Sequence, residues 1–299
     1  MSKNSIEVYQ PAQLFSGDPP DLASKGYRFL AEGDSWFTIG TLNLFQNANL
    51  LMVMKFKQSA CAINCATPGD TLTRMAKMNT DPNFINLLCG AQARFWDGIL
   101  MSCGGNDLID AVQSPAVDAQ GQPVPPAQRL LLTSAEWGLP PLGAARYLSD
   151  AGWATFCTYL MANFDHLIAL RERGPSRGQP IFIHGYAFPT PRPADAGFGL
   201  GPWLFPALRD YAIPEADGIA LARELLSRLG ALFAQIAADT ARYPNVHFFD
   251  STGIDVLPAQ PGTTGVSGDW VNEIHLVKAG YRKIAMPWAA AIERTLNGG

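Results

Sequence analysis

Charge is scarce in this chain. Only 16% of its 299 residues are Asp, Glu, Lys or Arg, and the formal net charge is −4. That balance gives no electrostatic reason to expect nucleic acid or an anionic membrane surface as a partner. Long apolar runs are missing too, since the stretch from Leu50 to Met54 falls far short of the roughly 20 residues that span a bilayer. The opening Met1-Ser2-Lys3-Asn4-Ser5-Ile6-Glu7 lacks the apolar centre of a secretory signal. The five cysteines are odd in number and none forms a CxxC pair of the zinc type. Cys61 and Cys65 are therefore expected as buried free thiols, and the expected compartment is a reducing cytoplasm. No His/Asp/Glu group has metal-ligand spacing and no Gly-rich phosphate loop occurs, so no metal or cofactor is expected.

What remains is a globular composition, 47% hydrophobic and 10% aromatic, long enough to fill a sizeable core. Residues 1 to 25 are polar and Pro-rich and read as an arm laid over the surface. Apolar runs then predict five buried strands: 27–32, 61–65, 99–102, 180–186 and 246–250. Between them, apolar periodicity predicts a helix from Trp153 to Leu170, a long one from about Glu215 to Arg242, and a last one from Lys278 to about Leu296. A further helix is expected after Asp70-Thr71 on Leu72, Met75, Ala76 and Met78, and another over residues 38–57. Segments 111–150 and 187–214 lose periodicity and gain Pro and Gly, so they read as irregular insertions. Strands alternating with helices imply a three-layer α/β/α sandwich around a mainly parallel five-stranded sheet, forming one domain over residues 1–299.

Three strand ends carry the residues of chemical interest. The first strand runs into Gly33-Asp34-Ser35-Trp36, the second into Ala66-Thr67-Pro68-Gly69-Asp70, and the third into Gly104-Gly105-Asn106-Asp107. In a parallel sheet these turns share the carboxyl edge, where open α/β folds bind ligands. His275 stands in a loop before the last helix, followed by Gly280-Tyr281. In this order the landmarks resemble the SGNH (GDSL-type) hydrolase family. The resemblance implies a flavodoxin-like fold and esterase or lipase activity on a small-molecule ester, without metal. It implies Ser35 as nucleophile and His275 as its base. It also implies an oxyanion hole made by the backbone N–H groups of Ser35 and Gly69 and the side-chain amide of Asn106.

Acyl transfer gives each part a reason. A serine hydroxyl needs a base to take its proton, and the developing oxyanion needs donors fixed in advance. The Gly-x-Ser-x-Gly elbow of α/β-hydrolases is absent, because Trp36 and Phe37 follow the serine. Among the other histidines, His166 lies within a helix and His247 inside a strand. His184 ends the fourth strand at the same edge and is expected in the substrate pocket with Trp36 and Tyr186. Segment 187–214, with Phe188, Trp203, Phe205 and Tyr211, is expected to line an apolar part of that pocket. The chain departs from the family three residues before the histidine, where Asn272 replaces the usual aspartate. Asn272 or its neighbour Glu273 is expected to orient His275, with Asp269 and Asp250 as further carboxylates in reach. The same serine would also serve an acyltransferase, and the asparagine leaves room for a non-catalytic binding protein on this fold.

Overall fold

Tyr27-Arg28-Phe29-Leu30-Ala31-Glu32-Gly33 runs through the middle of the molecule with every residue but Arg28 buried. A strand without polar alternation has no face to show to water, which fits the interior of a parallel sheet. The structure, a computed structural model, describes residues 3–38, 48–197 and 199–298. Its strands are β1 (Asn4–Ser5), β2 (Glu7–Tyr9), β3 (Tyr27–Gly33), β4 (Lys55–Phe56), β5 (Ala60–Asn64), β6 (Gly98–Ser102), β7 (Ile181–His184) and β8 (Val246–Phe249). Its helices are α1 (Ser35–Thr38), α2 (Leu72–Met75), α3 (Pro82–Leu88), α4 (Gly105–Val112), α5 (Asp150–Arg173), α6 (Leu204–Asp210), α7 (Glu215–Ala238) and α8 (Lys278–Leu296). No helix among the described residues is long and apolar enough to cross a membrane.

Six strands form the main sheet in the spatial order β2-β5-β3-β6-β7-β8, with every neighbouring pair parallel. The expected count of five is thus corrected to six. The extra strand is β2, inside the segment read as a surface arm, where Glu7, Val8 and Tyr9 pair with Cys61, Ala62 and Ile63. Without β2, the order by chain position is 2-1-3-4-5, the flavodoxin-like arrangement. That order reverses between β3 and β6, so the crevice beyond their carboxyl ends is the ligand position of this topology. Gly33 is what lets these ends meet, since a Cβ there would lie 2.7 Å from the Cβ and carbonyl oxygen of Ser102.

Helices cover both faces. On one, Trp288 of α8 packs against His184, ring centroids 5.0 Å apart. On the other, Phe164 of α5 meets Phe233 of α7, which also packs on Phe248 of β8. Ser149 caps α5 by accepting from the Gly152 N–H at 2.9 Å, and Phe156, Leu160, Phe164 and Leu167 form the buried stripe. Two helix expectations need correction. The stretch after Thr71 makes one turn, α2, and then restarts at α3, where Asp81 caps and Pro82 fits the first position. The helix expected over 38–57 falls partly on residues 39–47, outside the described residues. Its described remainder is a short 3-10 turn at Leu51–Val53 and strand β4. Segment 187–214 is not wholly irregular either, because it contains α6. Segment 111–150 holds 3-10 turns at Pro126–Gln128 and Pro140–Tyr147 and is packed, with Leu130, Leu131, Tyr147 and Leu148 buried.

Candidate active site

The serine turn is fastened from three sides. The Asp34 N–H donates to the Ser102 carbonyl at 3.0 Å, extending the β3–β6 ladder by one residue. The Asp34 carboxylate accepts from the Trp36 N–H (2.9 Å), the Ser102 hydroxyl (2.7 Å) and the Tyr186 hydroxyl (2.5 Å). Burial pushes Asp34 up to about 6, with these hydrogen bonds pulling the other way. Trp36 adds a cross-tie, its indole N–H donating at 3.1 Å to the Ile274 carbonyl. Residues 238 positions apart are thereby held together.

That tie brings the histidine loop over the sheet edge. The Ser35 hydroxyl lies 2.7 Å from His275 Nε2, and His275 Nδ1 lies 2.9 Å from Asn272 Oδ1. All three residues are buried. Asn272 Oδ1 also accepts the backbone N–H groups of Ile274 (3.1 Å) and His275 (2.9 Å), which identifies it as the amide oxygen. An acceptor facing Nδ1 requires the proton to sit on Nδ1. Nε2 then carries the lone pair, aimed at the serine hydroxyl. Burial holds the imidazole far below its ordinary value, at about 3, so it is neutral and able to accept a proton through the whole neutral range.

The carboxylates considered for this role face elsewhere. Glu273 accepts from the backbone N–H groups of Trp203, Leu204 (2.9 Å) and Phe205 (2.8 Å) at the start of α6, and from that of Arg192 (3.3 Å). The expectation that it orients His275 is corrected: it closes a helix N-terminus, where an anion is favoured. Asp269 takes the Leu257 N–H (2.8 Å) and the Lys283 ammonium (2.7 Å), and Asp250 takes the Thr252 N–H and hydroxyl. Glu273→Ala is expected to lower unfolding stability by about 2–4 kcal/mol, because several buried N–H groups lose their acceptor. Urea denaturation measures it, and a loss below about 1 kcal/mol would contradict the capping role.

The other two turns are tied to each other. The Asn106 amide donates to the Asp70 carbonyl at 3.0 Å, and the Asp107 carboxylate accepts the Leu72 N–H at 3.0 and 3.1 Å. An amide nitrogen carries two protons, so one remains for another acceptor. Gly69 has φ +83, a conformation that suits glycine, and an exposed position. Its turn joins the serine strand through Thr67 N–H to Gly33 O, at 3.0 Å. Among the described residues, neither the Ser35 nor the Gly69 N–H has a backbone acceptor.

Ser35 and Asn106 open onto a cleft of about 530 Å³, its mouth included. Trp36 and Tyr186 line it, with Leu108, Ile109, Ala222, Leu225 and Leu226 forming apolar walls. His184 is a correction. It is fully buried behind Trp36, stacked on it at 5.6 Å, with Nδ1 2.8 Å from the Gly185 carbonyl, and it does not line the cleft. Of segment 187–214, Ala187, Pro189 and Leu204 reach the cleft, while Trp203 sets its ring edge-on to His275 at 5.2 Å.

Two contributors escape sequence reasoning. Arg192 is fully buried and donates to the carbonyls of Thr263 (3.0 Å), Gly265 (2.6 Å) and Asn272 (2.8 Å), so it braces the histidine loop. Its one signal is an arginine set between Pro191 and Pro193 in a Pro-rich stretch. Trp270 lines the cleft from the loop before Asn272, and nothing in its local sequence marks it.

No protein-family model and no curated protein matches this chain. Among solved structures it is similar to an extracellular lipase from Streptomyces rimosus, at 15% identity over 89% of this chain and 99% of that one, with a TM-score of 0.46. It is similar to a phospholipase A1 from Streptomyces albidoflavus NA297 at 14% identity, over 89% and 98% of the two chains, with a TM-score of 0.44. A carbohydrate acetylesterase from Sinorhizobium meliloti matches at 12% identity, over 90% and 99%, with a TM-score of 0.43.

Proposed function

We propose that this chain is a single-domain serine hydrolase of the SGNH type, cleaving carboxylic esters through an acyl-serine intermediate. The observation that carries the reading is the 2.7 Å approach of the Ser35 hydroxyl to a neutral imidazole nitrogen of the right tautomer. Ser35 Oγ attacks the ester carbonyl while its proton passes to His275 Nε2. The carbonyl oxygen becomes an oxyanion that accepts the N–H groups of Ser35 and Gly69 and the second amide proton of Asn106. As the intermediate collapses, His275 returns the proton to the leaving alkoxide. Water, activated by the same nitrogen, then releases the acid.

The cleft selects the acyl group. Its walls are mostly apolar and no Lys or Arg lines it among the described residues, so an uncharged acyl chain gains from burial at roughly 25 cal/mol per Å². An acyl group ending in a carboxylate would lose its hydration there without a partner. The test is a chain-length series of p-nitrophenyl alkanoates beside the p-nitrophenyl ester of a dicarboxylic half-acid. Neutral short-chain esters should be turned over and the anionic one should be at least tenfold poorer in kcat/KM. Equal rates on both would remove the acyl-cleft assignment.

The asparagine has a measurable consequence. It brings no charge to His275, so Asn272→Asp should stabilise the imidazolium and raise the His275 pKa from its depressed value. Protonated His275 cannot take the serine proton. The acidic limb of the kcat/KM profile should therefore sit well below pH 6.5 in the wild type and move upward in the variant. An unchanged limb would mean that Asn272 does not govern the base.

A further inference from the structure

Directly behind the serine turn lie three buried carboxylates that the ester chemistry does not use. Glu32 is the last residue but one of β3, Asp70 follows Gly69, and Asp81 caps α3; they are 0%, 2% and 4% exposed. One oxygen of each lies within 4.8 Å of the others. Each also spends an oxygen on the protein. Glu32 Oε1 accepts the Gly33 N–H at 2.7 Å, Asp81 Oδ1 the Phe84 N–H at 2.9 Å, and Asp70 Oδ1 the Arg74 guanidinium at 2.9 Å. The remaining oxygens of Glu32 and Asp81, Oε2 and Oδ2, are buried without any hydrogen-bond partner. Two buried carboxylate oxygens without a partner are costly unless something positive stands between them.

We propose that Glu32, Asp70 and Asp81 bind one hard divalent cation, calcium by preference, which locks the Gly69 turn to the end of β3. Three carboxylates against the single guanidinium of Arg74 leave a charge of −2, which one divalent cation cancels. The geometry agrees. Three atoms no more than 4.8 Å apart have a point within about 2.8 Å of all of them, and a small inward movement reaches the roughly 2.3–2.6 Å of calcium–oxygen bonds. An all-oxygen donor set favours calcium, magnesium or manganese over zinc or copper. The spacing of residues 32, 70 and 81 hides the site in the sequence, because three different strand and helix ends supply it. The rival arrangement is a proton shared by Glu32 and Asp81, toward which burial pushes the Glu32 carboxyl.

The full chain, stripped with EDTA and dialysed, is titrated with Ca²⁺ and separately with Mg²⁺ by calorimetry and by thermal unfolding. One-to-one binding is expected, with Tm rising with the logarithm of ion concentration above Kd and standing roughly 5 °C higher at a hundredfold excess. Glu32→Gln and Asp81→Asn should each abolish the rise. Asparagine keeps the α3 cap, so Asp81→Asn tests the cation and not the helix. Glu32→Gln should match or exceed the metal-free wild type in Tm, having lost one buried charge. No binding heat and no Tm change with either ion would overturn the proposal in favour of the shared proton. A rise that persists in both variants would overturn it by placing the ion elsewhere. Neither readout is ester hydrolysis, so the result stands apart from the esterase reading.

Discussion

Ser35→Ala is expected to lower kcat/KM for p-nitrophenyl butyrate by about 10⁴-fold or more while leaving Tm within a few degrees of the wild type. Among the described residues the hydroxyl meets only the His275 imidazole, so its removal costs one neutral hydrogen bond, about 1 kcal/mol. The chemistry loses far more, because without Oγ there is no acyl-enzyme route. What survives is the weak catalysis of bound water beside the oxyanion donors, which in serine hydrolases is about 10³–10⁴ over solution. Circular dichroism and thermal unfolding establish the fold, and initial rates establish the loss. Retention of most of the activity by a folded Ser35→Ala protein would remove the serine from the mechanism.

Asn106→Ala should cost about 10²–10³-fold in kcat, with KM changed only a few-fold. The amide gives one proton to Asp70 O, which is a ground-state contact. The other proton meets a negative oxygen only in the transition state, and a donor of that kind is worth about 2.7–4 kcal/mol. Equal falls in kcat and kcat/KM are the signature of such an interaction. A rise in KM with kcat preserved would instead make Asn106 a substrate-binding residue. Asp107 holds the same turn through Leu72 N–H without facing the cleft, so Asp107→Asn should leave most of kcat in place.

These expectations show what was legible in the chain and what was not. β3, β5, β6, β7 and β8 could be read because each is an apolar run closed by turn residues, and burial on both faces leaves such a run no other place. β2 could not be read. Glu7-Val8-Tyr9 is three residues long, with an exposed glutamate, and its partner strand begins more than 50 positions away. The Ser35–His275 encounter was accessible only through the order of landmarks along the chain. Which amide atom of Asn272 faces the His275 ring is set by two backbone N–H groups that its oxygen accepts. In serine proteases an asparagine at this position imposes the wrong tautomer and costs about 10⁴-fold in kcat. Here the amide oxygen is pinned toward Nδ1, which removes that objection. Glu273 misled for a physical reason as well. Adjacent residues in a loop point in different directions, and its carboxylate is taken by the start of α6. His184 lies at the correct edge but one layer too deep, behind Trp36, because a four-residue strand end does not reveal which ring covers which.

The central claim is that His275 activates Ser35. Reaction with a fluorophosphonate, followed by tryptic digestion and mass spectrometry, tests it most directly. The peptide from Phe29 to Lys55 contains Ser35 as its single serine. One adduct on that peptide is expected in the wild type, absent in Ser35→Ala and formed at least 10³-fold more slowly in His275→Ala. An unlabelled Ser35 in a protein that still hydrolyses esters, or labelling that is as fast without the imidazole, would contradict the account.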